Sequence, residues 1–465
     1  MKHEALHLGW LLVVNAVYAV AAVVAVPLYI VLMAMRRKYR HRPWQRWGFV
    51  PKFGASARQV GRPAARKPMR LWVHAISVGE VEAARTFVPA LAEAMPEAEI
   101  VLSTTTMTGR ERAAKLFPGR PVFYFPLDLA PCVALALARV RPTAVIQVES
   151  EWWPNFFLLA RLWRVPVLAV NVRITEKSRR GYARIRGLMR AVFNSTAAIG
   201  VQAEVYRERL LALGAEADRI RVTGQMKHDA VGTSDTVAGA EDLARETGIA
   251  AGQPVLVSGS TAPGEDDVLL AAYGEARRAV PDLRLVIVPR RPENFDAAAE
   301  AIRRAGLGLL RRSLGPGAAP EGPDLRSPVI LGDTMGELMK WYALADLVFV
   351  GRSLVPLGGS NPMEPGSLAR PLLWGPHMFK FPIEAPALVE AGAAREVTDA
   401  ASLAAAVVDL LTRGDRRRQM GLAARQVICR MQGATARNVA LVREVLGQPP
   451  HLPALSEAEG VRRGL

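Results

Sequence analysis

Cysteine is nearly absent: Cys132 and Cys429 are the two in 465 residues. Two cannot form a disulfide framework, and their separation rules out a cysteine-based zinc site, which fits a reducing compartment. Acidic residues are missing from Arg36 to Arg70, where Lys and Arg number twelve. Charge of either sign is missing from Leu8 to Met35. No G-x-x-x-x-G-K-[ST] occurs and no G-x-G-x-x-G follows a strand pattern, which counts against ATPase and dinucleotide-binding readings. No Asp-x-Asp and no His/Asp group with metal spacing is found, so no resident metal is expected. His74 and His377 stand alone, as structural histidines do.

The uncharged stretch from Leu8 to Met35 is long enough to cross a bilayer with some tilt. Asn15 and Pro27 fall inside it, and helix-breaking residues are tolerated in membrane spans. A cleaved signal peptide is the competing reading, but the run is too long and the strong positive charge follows it. The expectation is an N-terminal transmembrane anchor over residues 1–35 and a basic juxtamembrane segment over 36–70. The positive-inside rule then places everything after residue 35 in the cytosol. The basic segment carries most of the formal net charge of +17. A sequence pI near 10.5 would suit nucleic acid. An excess concentrated beside an anchor points instead to anionic lipid, and no nucleic-acid partner is expected. A second basic cluster, Arg173–Arg190, reads either as a face for an anionic acceptor or as a solvated helix surface.

The length suits two domains of ordinary size. Leu71–Ile76 is a buried-strand pattern, Ser77–Gly79 breaks it, and Glu80–Met95 has helical spacing. The same alternation continues through strand patterns such as Glu99–Ser103, Ala144–Val148, Val167–Val170 and Ile220–Val222. It predicts a doubly wound α/β domain over 71–228. Residues 229–253 read as a linker. Alternation restarts at Val255–Ser258 and continues through Leu283–Val288, Val329–Leu331, Leu347–Val350 and Leu372–Trp374. That gives a second α/β domain over 254–447, closed by the helices from Ala400 to Leu446, with 448–465 as a weakly ordered tail.

Two such Rossmann-like domains are expected to face a cleft, with ligands at the carboxyl ends of the strands. Candidates stand there in number. Glu80 falls in the first turn of a helix, where the dipole and free N–H groups favour an ionised carboxylate. It is a candidate general base for a substrate hydroxyl, although Glu80 and Glu82 could equally be helix-end stabilisers. Glu149 and Glu151 follow one strand, Arg173 another, and Lys227 a third. In the second domain Ser260 and Thr261 follow a strand, and Arg290 stands where it could offset the charge of a leaving phosphate. Gly359, Ser360 and Asn361 precede a helix and offer N–H groups to a phosphate. Glu364 could accept both hydroxyls of a ribose. An ordinary loop is the alternative for the Gly358–Gly359 pair.

Seven segments carry a resemblance: HAISVGE (His74–Glu80), ESEWWPN (Glu149–Asn155), VTGQMKHD (Val222–Asp229), VPRRPENF (Val288–Phe295), GDTMGEL (Gly332–Leu338), GGSNPMEP (Gly358–Pro365) and WGPHMFKF (Trp374–Phe381). In this order the chain resembles the 3-deoxy-D-manno-octulosonic acid (Kdo) transferases of lipopolysaccharide biosynthesis, over roughly residues 20 to 445. The resemblance implies an inverting GT-B glycosyltransferase that moves Kdo from CMP-Kdo to a lipid A precursor (lipid IV-A), with no cofactor and no bound metal. It implies a bacterial inner-membrane protein whose catalytic domains are cytosolic. Glu80 matches the family's catalytic base. Glu149 and Glu151 match its E-T-E-L-W-P-N carboxylates, with Ser150 and Trp152 as departures. Arg290, Met335, Gly336, Asn361 and Glu364 match positions that hold the CMP part of the donor.

Three donor-side histidines of the family are replaced, by Ala262, Arg291 and Ser360. A GT-B transferase with another nucleotide-sugar donor is therefore a second expectation. A catalytically silent, membrane-anchored paralogue that binds lipid A is a third.

Overall fold

The computed structural model describes residues 9–20, 43–53, 69–232 and 236–447. Its chain divides into two compact units, one running to Ala230 and resuming at Gln432, the other spanning Val231–Met431.

The first unit is built on β1 (Arg70–His74), β2 (Glu99–Thr104), β3 (Val122–Tyr124), β4 (Ala144–Val148), β5 (Val167–Val172), β6 (Ala198–Val201) and β7 (Ile220–Val222). They form a seven-stranded sheet in the order β3-β2-β1-β4-β5-β6-β7. Neighbouring strands are parallel. Parallel strands covered by helices on both faces read as continuous apolar runs, and β1, β4 and β5 are buried along their whole length. The strand order reverses between β1 and β4, so the crevice at their carboxyl ends is the natural ligand position.

The second unit repeats this logic with β8 (Val255–Thr261), β9 (Arg284–Pro289), β10 (Leu309–Arg311), β11 (Val329–Leu331), β12 (Leu347–Val350), β13 (Leu372–Trp374) and β14 (Ala394–Glu396). The order is β10-β11-β9-β8-β12-β13-β14, again parallel. Its switch point lies between β8 and β12. Apolar clusters cover the sheet, one around Leu285, Phe349 and Leu403 and the other around Val257, Trp341 and Trp374.

The structure corrects several expectations. The helical pattern Glu80–Met95 is two helices, Val78–Ala83 and Phe87–Ala94. Pro89 has no N–H to give a carbonyl one turn back, so the helix restarts with the proline in its first turn. The 229–253 segment is not merely a linker. It holds a helix, Ala240–Glu246, whose Leu243 is buried in the second unit's core. Strands β10 and β14, Leu-Leu-Arg and Ala-Arg-Glu, carry charged residues and so lack the apolar run that marks most other strands.

The last helix, Ala434–Val445, belongs to the first unit, against the expectation that it closes the second domain. Ala434, Val439 and Val442 join the core under β1 and β4. Asp229 accepts from Gly433 N–H (2.7 Å) and Thr435 N–H (2.5 Å), capping that helix.

Residues 9–20 are helical; the rest of the expected Leu8–Met35 span lies outside the described residues, as do 448–465. Among the described residues no helix is long and apolar enough to cross a membrane. The described helix seats on the first unit through Asn15 and Tyr18. Asn15 donates its side-chain amide to Asn155 Oδ1 (2.8 Å), and the Tyr18 hydroxyl donates to Asp128 Oδ2 (3.3 Å). Asp128 is buried and caps the helix Pro154–Leu162 from outside it, accepting from Asn155 N–H (3.1 Å) and Phe156 N–H (2.8 Å). Burial pushes its carboxyl up to about 7, opposed by these two amides and by Tyr18.

Asp128→Ala removes the acceptor for both amides and for Tyr18, leaving buried donors unpaired. A loss of about 1–3 kcal/mol in the stability of the first unit is expected, with Asp128→Asn losing less. Denaturant unfolding of the full chain in detergent measures it.

Candidate active site

In the first unit the loops after β1, β4 and β5 carry the charged groups. Glu80 is the third residue of Val78–Ala83. Its Oε2 accepts from the Ser77 backbone N–H (2.9 Å) and from the Ser77 hydroxyl. Oε1 makes no hydrogen bond among the described residues, so one oxygen fixes the carboxylate and the other is open to receive a proton.

Glu149 follows β4 with a left-handed backbone, φ 66°, a conformation rare outside glycine and worth reading as a functional constraint. Its peptide N–H still continues the sheet, donating to Val170 O (2.9 Å). Asn171, also left-handed at φ 59°, donates to Glu149 Oε1 (3.4 Å) and accepts from Met226 N–H (3.0 Å). The Ser150 hydroxyl joins the loops after β4 and β5, donating to Arg173 O (2.6 Å) and accepting from Arg173 N–H (2.8 Å).

These ties bring the sequence-predicted acids and bases together. Burial raises the pKa of Glu149, Lys227 and Arg173 lower it, and the nearby Glu80 raises it further. Glu151 is raised by burial and then by the charges of Glu80 and Glu149. Three carboxylates therefore share one field, offset by Lys227 and Arg173. His74, on β1, takes no part. It is fully buried, bonded through Nδ1 to Ser103 (2.9 Å to the hydroxyl), stacked on Phe125 at 3.8 Å, and pushed down to about 3 by burial.

The basic cluster Arg173–Arg190 divides between the helices Glu176–Ala183 and Arg186–Ser195. Arg179 and Arg180 pair with Glu176.

In the second unit Ser260 and Thr261 are the last residues of β8, not a loop after it. Ser260 is left-handed, φ 58°, and its carbonyl accepts from the Ser360 hydroxyl (3.3 Å). Arg290 follows β9, and its N–H donates to Thr261 O (3.0 Å). Gly359 has φ 79°. The helix expected to offer N–H groups beyond it is only Met363–Ser367, too short to supply a dipole of its own. Asn361 instead organises that turn, accepting from Met363 N–H (3.1 Å) and donating to Glu364 Oε1 (3.1 Å). Burial raises the Glu364 pKa, while Asn361 and the charge of Arg290 lower it. Arg290, Asn361 and Glu364 thus form one group. Met335, 66 % exposed, and Gly336 stand on the loop after β11. Among the described residues no hydrogen bond joins them to that group.

The sequence reading gave no role to Glu265. It is fully buried, and its carboxylate accepts from the backbone N–H groups of Ala262 (2.9 Å), Arg352 (2.6 Å), Ser353 (2.9 Å) and Leu354 (3.0 Å). It pins the loops after β8 and β12 to each other, at the switch point. A buried acid just after a strand that ends in Ser and Thr was the available signal.

Two parallel doubly wound units, each with its polar groups at a switch point, are the architecture of GT-B glycosyltransferases. A solved glycosyltransferase from Rickettsia africae shares the fold, with a TM-score of 0.55 at 13% identity over 83% of this chain and 100% of the other. The sequence profile described as 3-Deoxy-D-manno-octulosonic-acid transferase (kdotransferase) matches residues 41–230. A 3-deoxy-D-manno-octulosonic acid transferase of Haemophilus influenzae is 33% identical over 412 residues, 88% of this chain and 92% of that protein. One from Bordetella pertussis is 34% identical over 403 residues, 84% and 91% of the two chains. The chain belongs to the Kdo transferase family and is a glycosyltransferase.

Because Glu151 is raised by burial and by its acidic neighbours, the folded state favours its protonated form. That contribution is fully present below the unfolded carboxyl pKa and is lost as pH rises through the folded one. Glu151→Gln should therefore gain stability relative to the parent as pH rises above the ordinary carboxyl range, read as a widening difference in Tm.

Proposed function

We propose that this chain transfers Kdo from CMP-Kdo to a lipid A precursor such as lipid IV-A, with inversion, in lipopolysaccharide biosynthesis. The observation that carries the reading is the set of carboxylates at the first unit's switch point in a chain of this family. Glu80 acts as general base. Ser77 holds Oε2, and Oε1 takes the proton of the acceptor hydroxyl as its oxygen bonds to the anomeric carbon of Kdo. The bond from that carbon to the CMP phosphate breaks, and the electron pair leaves with the phosphate oxygen. Glu149 and Glu151 orient the acceptor, and Arg173 and Lys227 offset their charge. Arg290 stabilises the leaving phosphate, Glu364 accepts from the ribose hydroxyls, and Ser260, Thr261, Gly359, Ser360 and Asn361 complete the donor site with Met335 and Gly336. No step of this transfer passes through a metal or cofactor.

Residues 1–35 serve as a single N-terminal anchor in the bacterial inner membrane, and the basic stretch from Arg36 meets anionic lipid on the cytosolic face. The uncharged run Leu8–Met35 and the twelve bases after it support this reading.

Glu80→Gln keeps size and loses basicity, so turnover with CMP-Kdo and a lipid A precursor should fall about 10²–10⁴-fold, with CMP affinity unchanged. Glu364→Ala should do the reverse first, weakening CMP binding about ten- to a hundredfold through the loss of charge-assisted bonds. Steady-state kinetics and titration calorimetry read the two. If Glu80→Gln retains most activity while Glu149→Gln or Glu151→Gln abolishes it, Glu80 is only a helix-end carboxylate.

A further inference from the structure

Arg352 follows β12 with φ 63°, a left-handed backbone that an L side chain adopts only when its surroundings enforce it. They do so from both sides. Its N–H donates to the buried carboxylate of Glu265 (2.6 Å), and its carbonyl accepts from Gly359 N–H (2.8 Å). Strain of this kind, held by a fully buried acid, argues for a side chain that must point to one place.

That place is a cavity of about 280 Å³ in the second unit, lined by Thr261, Arg290, Arg291 and Arg352 among others. Most small-molecule pockets enclose about 300–1,000 Å³, so this one suits part of a ligand and not a whole nucleotide sugar. Its charge is unbalanced. Arg291 reaches Glu293 only at 3.5 Å and exposed. Neither Arg290 nor Arg352 has an ion pair or side-chain hydrogen bond among the described residues, and Arg352 Nε is buried with no partner. Other arginines of the unit are matched by acids, among them Arg311 with Asp333 and Arg312 with Glu337. Arg290 has the charge of Glu364 near it and Arg291 has Glu293, whereas the Arg352 guanidinium meets no acid among the described residues; an unmatched guanidinium at a cavity marks an anion site.

On the reading that the donor is CMP-Kdo, its anions are one phosphodiester charge and one sugar carboxylate. Arg290 answers the first. We infer that Arg352 binds the carboxylate of the donor's sugar acid and so selects a sugar acid over a neutral sugar. This inference rests on the proposed function above.

The test uses the full chain in detergent, with CMP and CMP-Kdo as probes in calorimetry and kinetics. Arg352→Gly relaxes the backbone at φ 63°, so Tm should hold or rise, which removes misfolding as an explanation. Its affinity for CMP should stay within about twofold, while its KM and Kd for CMP-Kdo rise about ten- to a hundredfold. Arg352→Lys should recover part of the loss, because it keeps the charge without the planar fork. Equal weakening of CMP and CMP-Kdo would assign Arg352 to the phosphate and overturn the inference, as would unchanged affinity for both. If the parent chain prefers UDP to CMP, the donor reading itself fails, whatever Arg352 does.

Discussion

Carboxylates saturated by backbone N–H groups hold this chain's loops in place. A charge removed from water is costly unless it is met by donors, and a loop that supplies them is fixed in return. Asp128 fastens the start of Pro154–Leu162 and, through Tyr18 and Asn155, the N-terminal helix. Asp229 fastens the start of Ala434–Val445 and so returns the end of the chain to the first unit. Glu265 gathers four backbone donors from two loops. Each of these acids sits beyond a strand's carboxyl end, where a doubly wound sheet leaves its backbone unpaired.

The candidate site residues stand at strand ends of the same two sheets. Glu80 is held by Ser77 through one oxygen. Glu149 is held by a left-handed backbone and by Asn171, and the Ser150–Arg173 bonds keep the loops after β4 and β5 in step. The second unit reuses the device with Asn361, which fixes Glu364 beside Arg290. Burying these carboxylates is unfavourable for folding, as the raised pKa values of Glu149, Glu151 and Glu364 record, and at Glu149 and Glu151 the neighbouring acids add to the effect. Sites of catalysis and charged-ligand binding commonly carry such perturbation.

Much of this was legible in the sequence. Apolar runs of three or more residues marked most strands, because parallel strands are buried on both faces. The Ser77–Glu80 turn was readable from a helix-start pattern, and the strand-end acids from topology alone. Other features were hidden for physical reasons. Pro89 splits a helix whose composition is otherwise continuous. Strands β10 and β14 include charged residues and present no apolar run. The crossing of Ala434–Val445 to the first unit depends on Asp229, more than two hundred residues earlier, and no local pattern encodes it. Arg352 looks like an ordinary loop residue until its φ and its missing counter-ion are seen together.

Family membership, the acidic switch point of the first unit and the arginine-lined cavity of the second converge on transfer of an acidic sugar. Mass spectrometry of a lipid A precursor incubated with the full chain and CMP-Kdo tests this most directly. The account predicts an acceptor heavier by one or more Kdo residues, with CMP released in equal number. An unmodified acceptor alongside an intact, folded chain, or modification only when a UDP-linked sugar is supplied, would contradict it.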